Sequence, residues 1–452
     1  MTMDRRQMRL GLYATASGSN ASGWRHPDAI ADLAANLRAE IGVAQLAEKG
    51  LLDFIFLADS TTMRGHDWKK LARGSHRYVA QFEPLTLLSA IAAATSHIGL
   101  VATAATSYEE PYLLARRFAS LDLLSGGRAG WNLVTSSNLE EAGNFSREEH
   151  PSHAERYDRA LEFAEVVRGL WFTWDDDAFP RDKKDGLFFD PDKMHLLEHR
   201  GKHFSVRGPL TVPPSPQRHP VMVQAGASET GRELAAQLAE VIFTSQGTLA
   251  GAQAFYADVK GRMAKYGRDP AALVIMPGVA VYVAQTEAEA AAKRREVEEL
   301  VDPVVGRDML QHMLEDVIDL SKYADDDVLP LDMALTNGNR SAQQSYLRAA
   351  REKKTIRQIY VEHASIGRTL IGTPAQIADD LQRWLETGAA DGFILMNDYF
   401  PKPLEDFVTM VVPELQRRGV YRTGYAGTTL RENLGLKLPA HPARSAAAAI
   451  AG

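Results

Sequence analysis

The sequence predicts an α/β protein, a (β/α)8 TIM barrel with long insertions, because eight short apolar strands alternate with helical patterns and polar residues stand where strands end. The clearest unit is the segment 98–138, which has the pattern of strand, loop, helix, glycine turn and strand. Pro111 opens its helix, and Gly126 and Gly127 close it where a positive φ is favourable. The predicted strands span residues 8–13, 54–57, 98–103, 129–133, 221–224, 241–244, 274–283 and 392–395.

Two segments, 174–220 and 301–357, are too long to be simple connections between barrel elements. The first is rich in Asp, Lys, Pro and His, and the second is polar and partly helical, ending before a strand and helix at 369–386. We therefore expect residues 1–440 to form a single barrel domain with two insertions that serve as lids or subunit contacts. The end, 441–452, is small, apolar and without periodicity, which predicts a flexible C-terminal tail.

Composition restricts the class of protein and its partners. The 452 residues are 45% hydrophobic and 24% charged, as in ordinary globular proteins, and a net charge of -7 without a dense basic block argues against nucleic acid. Cysteine is absent, which excludes disulfides, thiolate zinc sites and thiol nucleophiles. No apolar run approaches ~18 residues, and the start of the chain lacks the pattern of a signal peptide. These features predict a cytoplasmic protein with no membrane partner.

The segment 221–234 predicts a phosphate site at the start of a helix. An apolar strand leads through the small residues Ala225, Gly226 and Ala227 into a helix opened by Ser228. Small residues let a backbone approach a ligand, and the free N–H groups of a helix N-terminus attract anions. Alternatively, Ser228 only caps the helix and Gly226 only makes the turn. Phosphate in such barrels more often follows strands seven and eight, whereas this loop follows the fifth.

A second helix begins near Ser152 and carries His153 and Tyr157 four residues apart, on one face of its first two turns. An imidazole and a phenol in this position can together hold an anion such as the same phosphate. The alternative is that His153 is a surface residue and that Tyr157 packs between helix and sheet.

Polar residues also end two of the predicted strands. Asp59 closes FIFLAD and Asn132 ends AGWN, on the side of a barrel where binding and catalytic groups lie. Thr103, Thr106 and Ser107 add hydroxyls to the same mouth. Each of these residues could instead cap a helix or a turn.

Other templates are missing from the sequence, which holds no G-x-x-x-x-G-K, G-x-G-x-x-G, G-x-S-x-G or H-E-x-x-H motif. ATP loops, Rossmann dinucleotide sites, serine hydrolase elbows and zincin sites are therefore unsupported. His195, His199 and His203 recur at intervals of four, but their setting, broken by Pro and Gly, predicts a solvated loop rather than a metal site. The acidic triplets 175–177 and 325–327 predict exposed loops.

Seven segments, spread in chain order from about Leu10 to about Leu436, form a recognisable set: FLADS, TAATSYEEPYLLARRFASLDLLSGGRAGWNLVTSSN, HAERYDRALEFAEVV, HPVMVQAGASETGRELAA, FYADVKGRMAKYGR, GTPAQIADDLQRW and VVPELQRRGVYRTGY. Together they closely resemble the nitrilotriacetate monooxygenase component A group of bacterial luciferase-like flavin monooxygenases. That group includes EDTA, dibenzothiophene sulfone and long-chain alkane monooxygenases.

The resemblance implies a (β/α)8 barrel that binds reduced FMN (FMNH2), which a separate NAD(P)H:flavin oxidoreductase supplies by diffusion. It implies an enzyme, the large component of a two-component system, that activates O2 as a flavin (hydro)peroxide. The implied substrate is a small organic molecule, N-, S- or halogen-bearing or heterocyclic. The sequence lacks the G-x-G-x-x-G motif of nicotinamide-binding proteins, which agrees with reduction of FMN by a separate protein. The resemblance also implies a homodimer or homotetramer.

The resemblance assigns residues to the cofactor but none to the substrate or to catalysis. The loops 14–26 and 61–82 face the substrate in the family, and here the first lacks the cysteine of some relatives while the second has residues of its own. No metal ligand is implied. The implied FMN contacts are Asp59, Asn132 and Thr135 at the isoalloxazine ring, Thr106 after the third strand, and His153, Tyr157, Ala227 and Ser228 around the phosphate.

Two alternatives remain open at this point. A deazaflavin-dependent dehydrogenase on the same kind of barrel would transfer hydride and ignore O2, although the long insertions disfavour it. A non-catalytic flavin-binding protein would bind oxidised FMN tightly without substrate-dependent oxygen consumption.

Overall fold

Parallel strands close into a barrel in the computed structural model, which describes residues 6–14, 17–63, 67–75, 78–136, 138–226, 228–314, 318–330, 340–365 and 367–441. The strands among these residues are β1 (Arg9–Tyr13), β2 (Phe54–Leu57), β3 (Gly99–Ala105), β4 (Ala129–Val134), β5 (His199–Arg200), β6 (Ser205–Val206), β7 (Val221–Gln224), β8 (Val241–Thr244), β9 (Val274–Val283), β10 (Arg368–Gly372) and β11 (Gly392–Leu395). The barrel runs β1-β2-β3-β4-β7-β8-β9-β11, and β11 pairs again with β1.

The predicted barrel is confirmed, and each of the eight predicted strands is present within two residues of its expected ends. All residues of β2, β7 and β11 are buried, because a barrel strand faces a packed interior on one side and helices on the other. The strand expected near 369 is β10, which pairs in parallel with β9 outside the closed barrel. The strands β5 and β6 form a small antiparallel hairpin in the first insertion.

Helices cover the outside of the barrel, and many begin at side-chain caps. Ser152 and Glu155 form a reciprocal capping box, which fixes the start of a helix at His153. The α-helices of the described residues are α1 (Leu37–Lys49), α2 (Trp68–Leu71), α3 (Pro84–Ala94), α4 (Pro111–Leu124), α5 (Glu141–Asn144), α6 (His153–Trp171), α7 (Glu229–Leu238), α8 (Leu249–Arg262), α9 (Glu287–Glu299), α10 (Pro303–Met313), α11 (Arg340–Arg351), α12 (Ile356–Glu362), α13 (Pro374–Glu386), α14 (Lys402–Asp406), α15 (Val412–Arg417) and α16 (Leu430–Leu434), with a π-helical turn at Phe407–Val411. None of the described helices is both long and apolar enough to cross a membrane.

The short helix α16 closes the amino-terminal end of the barrel. Leu430 and Leu434 pack with buried strand residues such as Phe54 and Val101. Gly99, at the start of β3, leaves the space for this plug, because a Cβ there would lie 2.4 Å from Leu430 Cδ1. Since α16 fills this end, the described part of the barrel leaves the carboxyl ends of its strands for a site.

The two insertions pack in different places. In the first, Glu162 of α6 accepts hydrogen bonds from the backbone N–H groups of His203 and Phe204, which fixes the β5-β6 hairpin against that helix. In the second, α10 and α12 share a buried apolar cluster of their own. Asp302, at the start of α10, bonds Arg73 and Ser22, which follow β2 and β1.

The expectation of solvated histidines in the first insertion is wrong. His195, His199 and His203 each lie within hydrogen-bond distance of a carboxylate and are at most 35% exposed in their side chains. The acids belong partly to α6, so the sequence interval of four carries no information on these contacts. His441, the first residue of the predicted flexible tail, is buried. The rest of that tail, 442–452, lies outside the described residues.

Candidate active site

A cavity of about 320 Å³ opens at the carboxyl ends of the barrel strands. This is the size of a small-ligand pocket and the position at which barrel enzymes bind their ligands. Parallel pairing sets Thr103 of β3 beside Asn132 of β4, so that polar strand ends gather on one level. The polar residues of the wall include Asp59, Thr103, Asn132, Thr135, Tyr157 and Gln224.

One side of the cavity is an aromatic wall made by Tyr13, Phe56 and Phe243. The ring centroid of Tyr13 lies 5.5 Å from that of Phe56 and 6.2 Å from that of Phe243. The side chains come from the ends of β1, β2 and β8, which are buried apolar strands. Such a wall favours a flat, largely apolar ligand.

Two buried acceptors in the cavity have no hydrogen-bond partner within the described structure: Asn132 Oδ1 and Gln224 Oε1. Both residues are at most 6% exposed, and the amide nitrogen of Asn132 is already used in donating to Thr103 Oγ1 at 2.8 Å. Leaving a buried acceptor unsatisfied costs about 1–3 kcal/mol, so a ligand with N–H or O–H donors is favoured here. Gln224, the last residue of the apolar strand β7, was not predicted from the sequence.

Asp59 is a partly buried carboxyl group at the rim of this cavity. Burial raises its pKa to about 6, and the nearby charges of Glu83 and Glu141 act in the same direction. The Ser60 N–H and the side-chain amide of Gln81, which donates at 3.2 Å, only partly offset this. Asp59 therefore changes from a neutral donor to a charged acceptor near pH 6.

We expect the affinity for a ligand with ring N–H donors to rise as the pH passes upward through about 6, because only the ionised Asp59 is purely an acceptor. Asp59→Asn should remove the contribution of this carboxyl group and leave only the change that the second ionisation of the cofactor phosphate causes at about pH 6. Titration of the reduced cofactor at several pH values, without oxygen, measures the effect. A profile that Asp59→Asn leaves unchanged would assign the inflection to another group.

Glu141 is a second buried carboxylate of the cavity, 3% exposed, which the sequence analysis did not select. It accepts hydrogen bonds from Thr61 Oγ1 at 2.8 Å and from Ser136 Oγ at 2.9 Å. Asn144, on the same short helix α5, donates to the Thr61 carbonyl at 2.8 Å. Glu141 therefore ties the loops that follow β2 and β4 to each other.

Glu141→Leu should weaken cofactor binding at least about tenfold, because it leaves the hydroxyls of Thr61 and of the buried Ser136 without their acceptor and frees both loops. Glu141→Gln, which keeps one acceptor oxygen, should lose less. Affinity titration together with a melting curve separates this local effect from unfolding. Equal affinities in both variants and the unchanged protein would show that the tie between the loops does not matter.

The predicted phosphate residues lie at the starts of two helices. Tyr157 lines the cavity and stacks on His153, with ring centroids 4.6 Å apart, at the start of α6. Ser228 caps α7 by accepting from the Gly231 N–H at 3.1 Å, just beyond Ala225, which lines the same cavity. Both the capping and the anion-binding interpretation of Ser228 therefore remain compatible, since the hydroxyl hydrogen is still available to a ligand.

The other predicted contacts divide into three groups. Asp59, Asn132 and Thr135 line the cavity as expected from the sequence. Thr106 is fully buried and donates from Oγ1 to the Val134 carbonyl at 3.3 Å, and it is not among the lining residues. Ala227 lies outside the described residues.

A (β/α)8 barrel with an aromatic cavity at the carboxyl ends of its strands is the arrangement in which barrel enzymes bind flat ligands. Residues 8–391 match the family model of luciferase-like monooxygenases, and the chain belongs to this family. The resemblance inferred from the sequence is thereby confirmed, as is the prediction of a flavin-dependent monooxygenase.

The similarity to known proteins covers nearly the whole chain. Nitrilotriacetate monooxygenase component A of Aminobacter aminovorans is 49% identical over 442 residues, covering 96% of this chain and 97% of the relative. The N-acetyl-S-(2-succino)cysteine monooxygenase of Bacillus subtilis (strain 168) is 48% identical and covers 97% of this chain and 99% of its own. The crystal structure of riboflavin lyase with modified FMN and riboflavin has a TM-score of 0.84 at 32% identity, covering 97% of this chain and 99% of that one.

Proposed function

We propose that the chain is the large component of a two-component enzyme that uses reduced FMN and O2 to oxygenate a small organic substrate. The observation that carries the proposal is the cavity, whose lining includes an aromatic wall and two residues, Asn132 and Gln224, each with a buried amide oxygen that has no partner in the described structure. A reduced isoalloxazine has broad apolar faces and N–H donors on its edge, so it fits both features.

The FMN phosphate would be held where α6 and α7 begin. Tyr157 and Ser228 would donate hydroxyl hydrogens to it, with His153 stacked behind Tyr157. The N-terminal N–H groups of the helices would supply the positive potential that a dianion needs. This contribution matters because no Lys or Arg lines the described part of the cavity. Thr106 and Ala227 stay in the proposed set of contacts.

When bound, reduced FMN would supply the electrons with which O2 is activated. The residues of this chain would orient the ring and the substrate and exclude water. The second insertion is the better placed of the two to cover the mouth, because Asp302 contacts Arg73 and Ser22 on the loops after β2 and β1. The first insertion packs on α6 instead.

Reduced FMN has to come from another protein. The sequence contains no G-x-G-x-x-G fingerprint for a nicotinamide cofactor, and the name of the Aminobacter relative, component A, implies a further component. We therefore propose an NAD(P)H:flavin oxidoreductase as partner, delivering FMN by diffusion. The homodimer or homotetramer stays a prediction.

The test uses the purified chain with FMN, NADH, a generic flavin reductase and 18O2. Nitrilotriacetate and N-acetyl-S-(2-succino)cysteine, the compounds in the names of the relatives, begin the substrate screen. We expect one 18O atom in the product, and none when FMN, reductase or O2 is omitted. Hydride transfer with a reduced deazaflavin and no oxygen uptake would indicate the dehydrogenase instead. Tight binding of oxidised FMN without oxygen uptake on any substrate would indicate a binding protein.

A further inference from the structure

Three side chains outside the cavity direct their donor atoms to one point. His195 Nε2 lies 3.0 Å from Asp175 Oδ1, and His441 Nε2 lies 3.5 Å from the same oxygen. One ligand atom from each of the three residues lies within 4.8 Å of the others. The two imidazoles and the carboxylate come from the first insertion and from the end of the described chain, and none of them lines the cavity.

One of these separations already has the length expected between two ligands of a shared metal ion. Zinc binds His nitrogen and carboxylate oxygen at about 2.0–2.2 Å, so two ligands on one tetrahedral ion stand about 3.3–3.5 Å apart. The distance from His441 Nε2 to Asp175 Oδ1, 3.5 Å, is longer than an ordinary hydrogen bond and has this length. The side chain of His195 is 35% exposed, which leaves room for a water as fourth ligand.

The backbone holds two of the ligands in place. Trp174 and Met194 form an antiparallel bridge, which puts Asp175 and His195 on the same face of the two segments, diagonally across the bridge. The Asp175 N–H donates to the Lys193 carbonyl at 3.0 Å, and the His195 N–H donates to the Thr173 carbonyl at 2.8 Å. Ligands fixed in this way lose little freedom when an ion binds, so the site is pre-organised.

The third ligand is held by packing. His441 has a side chain only 3% exposed and meets the ring of Phe172 edge-on at 5.3 Å. Just before it in the chain, the Pro439 carbonyl accepts a hydrogen bond from Arg218. In the metal-free protein, a proton on His441 Nε2 can be donated to the Trp174 carbonyl at 3.3 Å, and metal binding would move that proton to Nδ1.

The charge of the neighbourhood is compatible with a divalent ion. Asp176 is paired with Arg218 and Asp177 with Lys193, so the flanking acids are already balanced by bases. The Asp175 carboxylate pairs with the two imidazoles, and these are neutral when they act as ligands. A divalent ion at this point meets one negative charge and two strong nitrogen ligands.

We propose that Asp175, His195 and His441 bind a divalent transition-metal ion, with Zn2+ as the preferred ion. The two nitrogen ligands and single carboxylate suit Zn2+ better than Mg2+ or Ca2+, which prefer oxygen ligands alone. The ion joins the end of the described chain to the first insertion and has a structural role. This proposal is independent of the proposed oxygenase activity.

The test titrates chelator-treated full-length protein with Co2+ and with Zn2+, the latter in competition with a chromogenic zinc indicator. We expect one ion per chain, with a visible Co2+ spectrum typical of four-coordination. His441→Ala and Asp175→Asn should each weaken binding at least about tenfold. His199→Ala is the matched control, since His199 pairs with Glu162 at 3.1 Å in the same insertion without being in the cluster.

If a variant is less stable, melting temperatures measured with and without Zn2+ still show whether it binds the ion. Zn2+ should raise the melting temperature of the unchanged protein and of His199→Ala, but not that of His441→Ala. If the unchanged protein binds no ion in stoichiometric amount, the proposal is overturned and the cluster is held by hydrogen bonds only. Equal weakening by His199→Ala would overturn it as well, because binding would then reflect scattered surface histidines.

Discussion

Ser228→Asp should weaken the binding of reduced FMN at least about 100-fold while leaving the fold intact. Asp caps helices as well as Ser does, so it keeps the hydrogen bond that the Gly231 N–H donates at the start of α7. Its carboxylate would stand where the phosphate is proposed to bind, where it would repel the phosphate dianion and take its place at the N–H groups that begin α7. Titration of the variant with reduced FMN under anaerobic conditions measures the loss.

Two controls show whether the loss of affinity is due to the phosphate of FMN. Thr248 caps α8 in the same way, accepting from the Gly251 N–H at 3.2 Å, and it does not line the cavity. Thr248→Asp should therefore leave FMN affinity unchanged. Reduced riboflavin, which lacks the phosphate, should bind Ser228→Asp and the unchanged protein alike. Unaltered FMN affinity in Ser228→Asp would mean that the phosphate binds elsewhere.

Arg431→Met should lower the free energy of unfolding by about 3–5 kcal/mol. Arg431 lies in α16 with a side chain 2% exposed, and its guanidinium contacts both carboxylate oxygens of Glu240, one of them at 3.1 Å. Burial by itself would raise the pKa of Glu240, but the charge of Arg431 and its hydrogen bonds lower that pKa to about 2. Without Arg431, a charged group would be buried at the closed end of the barrel without its partner.

Arg417→Met is the matched control for this stability prediction. Arg417 also pairs with a glutamate, Glu414 at 2.7 Å, but its side chain is 71% exposed. Exposed ion pairs contribute about 0–1 kcal/mol, so urea unfolding of this variant should differ little from that of the unchanged protein. Similar losses in Arg431→Met and Arg417→Met would contradict the role assigned to the buried pair.

The sign of the pH dependence follows from the lowered pKa of Glu240. Its ordinary value is 4.5 and its value in the folded protein is about 2. The pair therefore contributes its full stability above pH 4.5 and loses it as the pH falls toward 2. The difference between Arg431→Met and the unchanged protein should shrink across that interval.

The barrel could be predicted from the sequence because its signals are local. A strand such as β7 or β11 is a run of four buried residues between turns, and a helix such as α6 begins at a capping box that is visible in the sequence. Residues at the ends of the strands, such as Asp59 and Asn132, then follow from the rule that parallel barrels carry their sites at that edge.

What the sequence did not predict depends on contacts between distant residues. Glu141 lies on a four-residue helix without a pattern, and its role arises from Thr61, 80 positions away in the chain. His441 is buried by contacts with Phe172 and with Trp174 and His195 of the first insertion, and Asp175 lies 20 positions from His195. Such partners are set by how loops pack on the barrel, which periodicity and motifs do not encode.

A crystal structure of the protein with FMN tests the central claim most directly. We expect the ring against the wall of Tyr13, Phe56 and Phe243, and the phosphate within hydrogen-bond distance of Tyr157 Oη and Ser228 Oγ. A phosphate bound away from the starts of α6 and α7, or a cavity that excludes FMN at saturating concentration, would contradict the account.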